Sequence, residues 1–171
     1  MAPRTLPPRD LVQQLLRYDP VTGTLIWRPR EGAKNWNSRH AGKPAGSLSP
    51  NGHMYTSIGN GTHYRLHRLI WLLVYGEPVP AVIDHKDLDR SNNRVSNLRA
   101  ASYSQNQANT RKRRHNTTGH KGVYRKRGKF FARINANGVM VHLGTFDALE
   151  EAAAARREAT DRLHGEFARH E

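Results

Sequence analysis

The chain contains no cysteine, which excludes disulfides and thiolate metal sites and fits a reducing compartment. It also has no long hydrophobic run. The longest apolar stretch, Leu69–Tyr75, is far too short to span a bilayer. Its first residues, MAPRTLPPRD, lack the apolar centre of a secretion signal, so a soluble cytoplasmic protein is expected. The most telling shortage is of negative charge: from Arg90 to Phe146 there is no aspartate or glutamate. Lys and Arg outnumber Asp and Glu by 28 to 14, for a formal net charge of +14. Such a field attracts a polyanion, and counterion release makes the binding steeply salt-dependent. No long basic amphipathic helix accompanies the charge, so a nucleic acid fits better than an anionic membrane.

The 171 residues have room for one domain or two small ones, and small modules bury little surface on their own. Residues 10–17, DLVQQLLR, predict a short helix with Asp10 as N-cap, stopped at Asp19-Pro20. A strand at 24–28 and a loop rich in Gly, Asn and Pro follow. Segments 53–59 and 62–66 flank Asn60-Gly61, a two-residue hairpin signal. HRLIWLLVY (67–75) closes at Gly76 and predicts a buried helix. AVIDH (81–85) predicts a strand, KDLDRSNN a polar loop, and VSNLRAA a turn into a second short strand. Ser102 to Gln105 fits a capping box, which predicts a helix over 103–109.

QANTRKRRHNTTGH (107–120) is polar and basic with no core pattern, and predicts a linker. Beyond it, 121–125, 129–135 and 139–146 predict three strands. Asp147 to Glu150 suggests a further capping box, opening a helix that ends at Gly165. Ala152, Ala155, Ala159 and Leu163 form its small-residue stripe. The expected module is a three-stranded antiparallel sheet crossed by one helix, with the other sheet face left for Arg125, Arg127, Lys129 and Arg133.

The chemistry concentrates in IDHKDLDRSNNRVSNLRAASYSQNQ, residues 83–107. Phosphodiester hydrolysis needs an activated water and a cation beside the phosphate. Histidine suits the first task, and carboxylate and amide oxygens suit a hard cation. Asp84 and His85 are adjacent, so on a regular strand they point to opposite faces. Asp87 and Asp89 are alternative ligands. Asn92 and Asn93 are read as loop-shaping residues, and asparagine at position 97 also suits a turn. His63 and His67 have helical spacing, but a strand-to-helix junction should separate them, and His67 is read as structural or phosphate-facing, not as a zinc ligand. Trp27, Trp36 and Trp71 are read as packing residues.

DH, then NNRVSNLR, then SQNQ, preceded by LHRLIWLLVYGE, resembles the HNH endonuclease signature over residues 66–107. More narrowly it is similar to the HNH nucleases of phages and their introns, several of which are site-specific nicking homing endonucleases. The resemblance implies a ββα-metal core. It casts His85 as general base, Asn97 as the residue that orients it, and Asp84 and Asn106 as ligands of one divalent cation. Mg²⁺ is the expected ion, with Mn²⁺ as the alternative. KGVYRKRGKFFARINANGVMVHLGTFDALEEAAAARREATDRLHG resembles the plant ethylene-response-factor (Apetala-type) DNA-binding domain, over about 120–166. That likeness implies a sheet read into the major groove.

Together these readings give an α+β chain in four parts: an N-terminal helix and β-hairpin region (1–65), an HNH ββα-metal core (66–109), a basic linker (110–120) and an ERF-like DNA-binding domain (121–166). The expected activity is metal-dependent, site-specific nicking of double-stranded DNA by a monomer of phage or mobile-element type, within the host bacterial cytoplasm. No membrane and no obligate protein partner is implied. DNA contacts are expected from Arg111, Lys112, Arg113, Arg114, Arg125, Arg127, Lys129 and Arg133. The competing expectation is a non-catalytic DNA-binding regulator that retains the HNH scaffold.

Overall fold

A computed structural model describes residues 5–59, 61–112 and 114–169. The chain divides into two compact units, Met1–Ala100 and Ala101–Glu171. Among the described residues no helix is long and apolar enough to cross a membrane.

The first unit opens with α1 (Arg9–Leu15), which runs directly into β1 (Leu16–Asp19). The helix is thus shorter than its apolar spacing predicts. The reason is tertiary: Leu16–Asp19 pairs antiparallel with β2 (Thr24–Trp27), Leu16 opposite Trp27. Asp10 is not the cap; that position is Pro8, and Asp10 lies in the first turn, where a negative charge complements the helix dipole.

The loop expected after β2 contains a helix, α2 (Lys34–His40). Its sequence, KNWNSRH, carries no apolar periodicity, and contacts outside the segment hold it. The Asn37 amide accepts from the Arg30 backbone N–H at 2.8 Å and donates to the Arg30 carbonyl at 2.7 Å. Trp36 meets Trp27 edge-on at 5.4 Å, and the Arg30 guanidinium lies 3.7 Å from the centre of the Trp36 ring.

Next come β3 (Ser47–Leu48), β4 (Met54–Ile58) and β5 (Thr62–Arg65), one antiparallel sheet in that order. The hairpin forms between the expected segments, but Ile58 pairs with Thr62, so three positions, 59–61, connect the strands instead of the expected two; Asn60 lies outside the described residues. β5 passes straight into α3 (Leu66–Tyr75), so His63 and His67 do sit on different elements. α3 is the core of this unit. Leu69, Ile70 and Leu72 are wholly buried, and they pack with Val12, Leu16, Leu25, Ile58, Ile83 and Leu98. Burial of each such side chain contributes about 1.5–3 kcal/mol. Trp27 and Trp71 border this core as packing residues. Gly76 ends α3 at φ +80°, a conformation glycine adopts without steric cost.

β6 (Val82–His85) and β7 (Leu98–Ala101) form a two-stranded sheet, with a 3₁₀ turn at Val95–Asn97 leading into β7. Ile83 and Leu98 tie this small sheet into the core under α3.

The second unit begins with α4 (Tyr103–Ala108). Its capping box is complete: the Ser102 hydroxyl accepts from the Gln105 backbone and the Gln105 side chain accepts from the Ser102 backbone. Three strands follow, β8 (Val123–Lys126), β9 (Lys129–Ala136) and β10 (Val139–Phe146), antiparallel in the order β10-β9-β8. Both turns are two-residue loops with positive φ, Arg127-Gly128 and Asn137-Gly138, the geometry that matches strand twist.

α5 (Leu149–His164) crosses the sheet and ends at Gly165, as expected. Its start differs. The capping position is Ala148, and Asp147 instead pairs with Lys129 Nζ at 2.7 Å. The buried face is Ala152, Ala153, Arg156, Ala159, Thr160 and His164, so the stripe is rotated from the expected one and Leu163 is exposed.

Among its described residues the segment expected as a linker contains no helix or strand beyond α4, yet it is not an extended strap. Lys121 Nζ donates to the carbonyls of Gln107, Ala108 and Thr110, and Lys112 Nζ to that of Gly119.

Candidate active site

His85 is the last residue of β6 and is buried. Its Nε2 lies 3.2 Å from Asn93 Oδ1. The Asn93 amide is oriented by donation from its Nδ2 to the Ser91 carbonyl at 3.0 Å, so Oδ1 is the atom turned to the ring. His85 therefore donates through Nε2–H, and its basic lone pair resides on Nδ1. Burial holds its pKa below the ordinary value of 6.5, against the opposing pull of Asn93, Asp87, Asp84 and Asp89. The imidazole is neutral at physiological pH and able to take a proton.

Asp84, one residue earlier, is also buried, but it belongs to a different set of contacts. Its Oδ2 accepts from Arg99 Nε on β7 at 2.9 Å. The two side chains have different partners: Arg99 meets Asp84, and Asn93 meets His85.

The asparagines divide differently from the sequence reading. The bond to the His85 ring comes from Asn93, which was read as loop filler. Asn97, expected to orient His85, ties down the intervening loop. Its Oδ1 accepts from the Asp87 backbone at 3.1 Å, and its Nδ2 donates to Asp87 Oδ1 and to the Asn92 carbonyl, both at 2.9 Å. Asn92 Nδ2 reaches the other Asp87 oxygen at 2.7 Å. Asp87 is thus the hub of the loop, and Asp89 binds the Ser91 backbone and hydroxyl. Both alternative metal ligands are engaged in loop structure.

Residues far upstream brace this loop. The Tyr18 hydroxyl accepts from the Val95 N–H at 3.0 Å and lies 3.4 Å from the Asn93 carbonyl, to which it donates. Arg94 Nε donates to the Val21 carbonyl at 2.8 Å, and Arg90 to the Asn51 carbonyl at 2.9 Å. At Gly23, φ +75°, a Cβ would come within 2.6 Å of the Arg94 backbone nitrogen, so only glycine lets the strands of the first hairpin turn this close to the loop.

Two histidines that sequence spacing did not connect to the site stand beside His85. His53, just ahead of β4, His67 on α3 and His85 each place one ring nitrogen within 4.8 Å of the others'. Their ring centres lie 5.1 to 5.8 Å apart. Burial lowers the pKa of His53 to about 4 and that of His67 well below 6.5. No sequence signal linked them, because they come from three separate elements. Asn106, the expected second ligand, is half-buried on α4 of the second unit.

The candidate DNA-contacting residues of the second unit sit as follows. On β9, Lys129, Phe131 and Arg133 alternate with Ala132 and Ile134, which are buried on the α5 side. Tyr124 pairs opposite Phe131, and the Arg133 guanidinium lies 4.2 Å from the Tyr124 ring centre. The open face therefore carries Tyr124, Lys126, Lys129, Phe131 and Arg133. Arg125 is exposed but pairs opposite Phe130, which places it on the helix-bearing side of the ladder, and Arg127 is in the turn. The face expected for Arg125 is occupied by Lys126 instead. Arg111, Lys112 and Arg114 are exposed, and Arg113 lies outside the described residues.

Residues 64–108 match the HNH endonuclease family. The matched segment takes in α3, β6, the asparagine loop, β7 and α4. The chain is also 31% identical over 107 residues to an uncharacterized HNH endonuclease of Acanthamoeba polyphaga mimivirus, over 61% of this chain and 55% of that protein. It thus spans little more than half the length of this relative. No solved structure matches the chain. The family match begins at Tyr64 and so includes His67 and His85, whereas His53 lies before it.

Proposed function

We propose that the chain is a divalent-metal-dependent endonuclease that nicks double-stranded DNA, acting as a monomer of phage or mobile-element type. The observation that carries this reading is the buried, neutral His85, whose Nε2–H is held by Asn93 so that Nδ1 is the basic atom. It stands inside a segment that matches HNH endonucleases.

In the proposed reaction His85 Nδ1 takes a proton from a water molecule as that oxygen attacks phosphorus. The bond to the 3′-oxygen breaks on the opposite side, and the leaving oxygen is protonated from solvent. Asn93 holds the ring through the donor nitrogen, and Asn97 keeps the loop that carries Asn93 in place. Asp84 and Asn106 are the proposed metal ligands, and both are hard oxygen donors suited to Mg²⁺ or Mn²⁺. The buried Asp84 carboxylate is already paired through Oδ2 with Arg99 Nε at 2.9 Å, so a metal ion held here would share the carboxylate with that guanidinium. When bound, the ion would supply positive charge to the phosphate and the departing oxygen. The second unit would read DNA through a sheet of ethylene-response-factor type, with Lys126, Lys129 and Arg133 on the open face and Arg111, Lys112 and Arg114 along the phosphates.

A supercoiled-plasmid assay tests the proposal. Wild type with Mg²⁺ is expected to yield nicked circles, and His85→Ala to lower that rate by at least about 100-fold while binding plasmid normally. Wild type that binds plasmid yet yields no nicked circle with Mg²⁺ or Mn²⁺ would overturn the enzyme and leave a DNA-binding regulator.

A further inference from the structure

We propose that His53, His67 and His85 form a Zn²⁺ site, and that its occupancy silences the nuclease by engaging the lone pair of His85. The second clause rests on His85 acting as general base; the first stands on geometry alone.

Three imidazoles converge here from a loop, a helix and a strand, with one nitrogen of each within 4.8 Å of the other two. Tetrahedral zinc with bonds of about 2.0–2.1 Å separates its ligands by about 3.3 Å. Binding therefore draws the nitrogens together by up to about 1.5 Å, the difference between 4.8 Å and about 3.3 Å. His67 and His85 are buried, and His53 Nδ1 is buried with no hydrogen-bond partner. An orphaned imidazole nitrogen beside two further imidazoles is what a metal would satisfy. His85 is already held in the tautomer that puts its lone pair on Nδ1, and this outer hydrogen bond is the kind that orients a zinc-bound histidine.

The charges around the cluster are mixed. Arg65 and Arg90 act on His53, whereas Asp84, Asp87 and Asp89 act on His85. The acids on the His85 side favour a divalent ion and the arginines oppose it, which predicts binding of moderate strength. Three neutral nitrogens select zinc and its transition-metal neighbours over Mg²⁺, which prefers oxygen. The two ions would therefore act in opposite senses: magnesium at Asp84 drives hydrolysis, and zinc at the histidines removes the base.

Calorimetric titration of the tag-free full chain with Zn²⁺ is the direct test. Wild type is expected to bind one Zn²⁺ per chain, and His53→Gln to bind at least about 10- to 100-fold more weakly. Co²⁺ should give the visible band of a tetrahedral nitrogen site in wild type and lose it in His53→Gln. In Mg²⁺-driven nicking, zinc should inhibit wild type and leave His53→Gln active. No stoichiometric zinc binding, or equal binding by His53→Gln, overturns the site. Stoichiometric zinc binding together with absent Mg²⁺-driven nicking upholds the site and overturns only the proposed nuclease.

Discussion

Asn92 and Asn93 are neighbours of identical chemistry with different work. Asn92 turns into the loop and bonds Asp87, whereas Asn93 turns inward and holds His85. Asn93→Ala should therefore lower nicking on the order of 10- to 100-fold, with plasmid affinity unchanged, because the ring loses its orientation and its tautomer. Asn97→Ala should act through stability. Removing a buried amide with three bonds takes the acceptor from the Asp87 backbone N–H, the donor from the Asn92 carbonyl and one donor from the Asp87 carboxylate, at a cost of about 1–3 kcal/mol readable as a lower denaturation midpoint.

The acidic–histidine pair, the asparagines and the capping box were legible because each is local in sequence. The choice of Asn93 over Asn97 was not, since it depends on the path of a loop fixed by Asp87. His53 was invisible for the same reason at longer range: nothing near it in sequence says that β4 delivers it to the end of β6.

The three histidines also set an acid limit on the elements they join. Each has a folded pKa below that of the unfolded chain, so the unfolded chain binds more protons once the pH drops below about 6.5. Their contribution to stability is present above that pH and is lost on acidification, through a window that for His53 extends to about 4. The thermal midpoint should thus fall between pH 7 and pH 5, and less steeply in His53→Gln.

Among the elements, β4 and α3 were recognisable from their turn and apolar signals, and the β8–β10 sheet from its alternation. The failures share one cause. α1 ends two residues early because Leu16 and Arg17 pair with β2, α2 formed on contacts from Arg30 and Trp27, and Asp147 pairs with Lys129 instead of capping α5. In each case a partner distant in sequence outweighed local propensity. Gly23→Ala makes such coupling measurable. A Cβ at a left-handed position, 2.6 Å from the Arg94 backbone, should destabilise the first unit and slow nicking together, although residue 23 touches no proposed catalytic group.

For the molecule as a whole, the charge imbalance of the sequence becomes an arrangement. The open face of the β8–β10 sheet and the segment from Arg111 to Arg114 carry cations, while Asp84, Asp87 and Asp89 gather around His85. Replacing Lys126 with Ala should reduce the salt slope of plasmid binding by about 1, and Arg133→Ala should do the same or alter sequence preference, as measured by binding across a salt series. The N-terminal region carried no motif that pointed to chemistry, yet Tyr18, Val21, Gly23, Asn51 and His53 all reach the asparagine loop or its histidine.

The ion pair between Asp84 and Arg99 has a consequence for how the protein could be used. Because the carboxylate is already neutralised within the chain, the fold does not wait for an ion in order to form. A chelator should leave the thermal midpoint unchanged in zinc-free buffer, unlike a domain that collapses only around its metal. On the proposed mechanism, protein loaded onto DNA without a divalent ion would stay idle, and a pulse of magnesium would then act as a starting gun that synchronises every molecule for single-turnover kinetics.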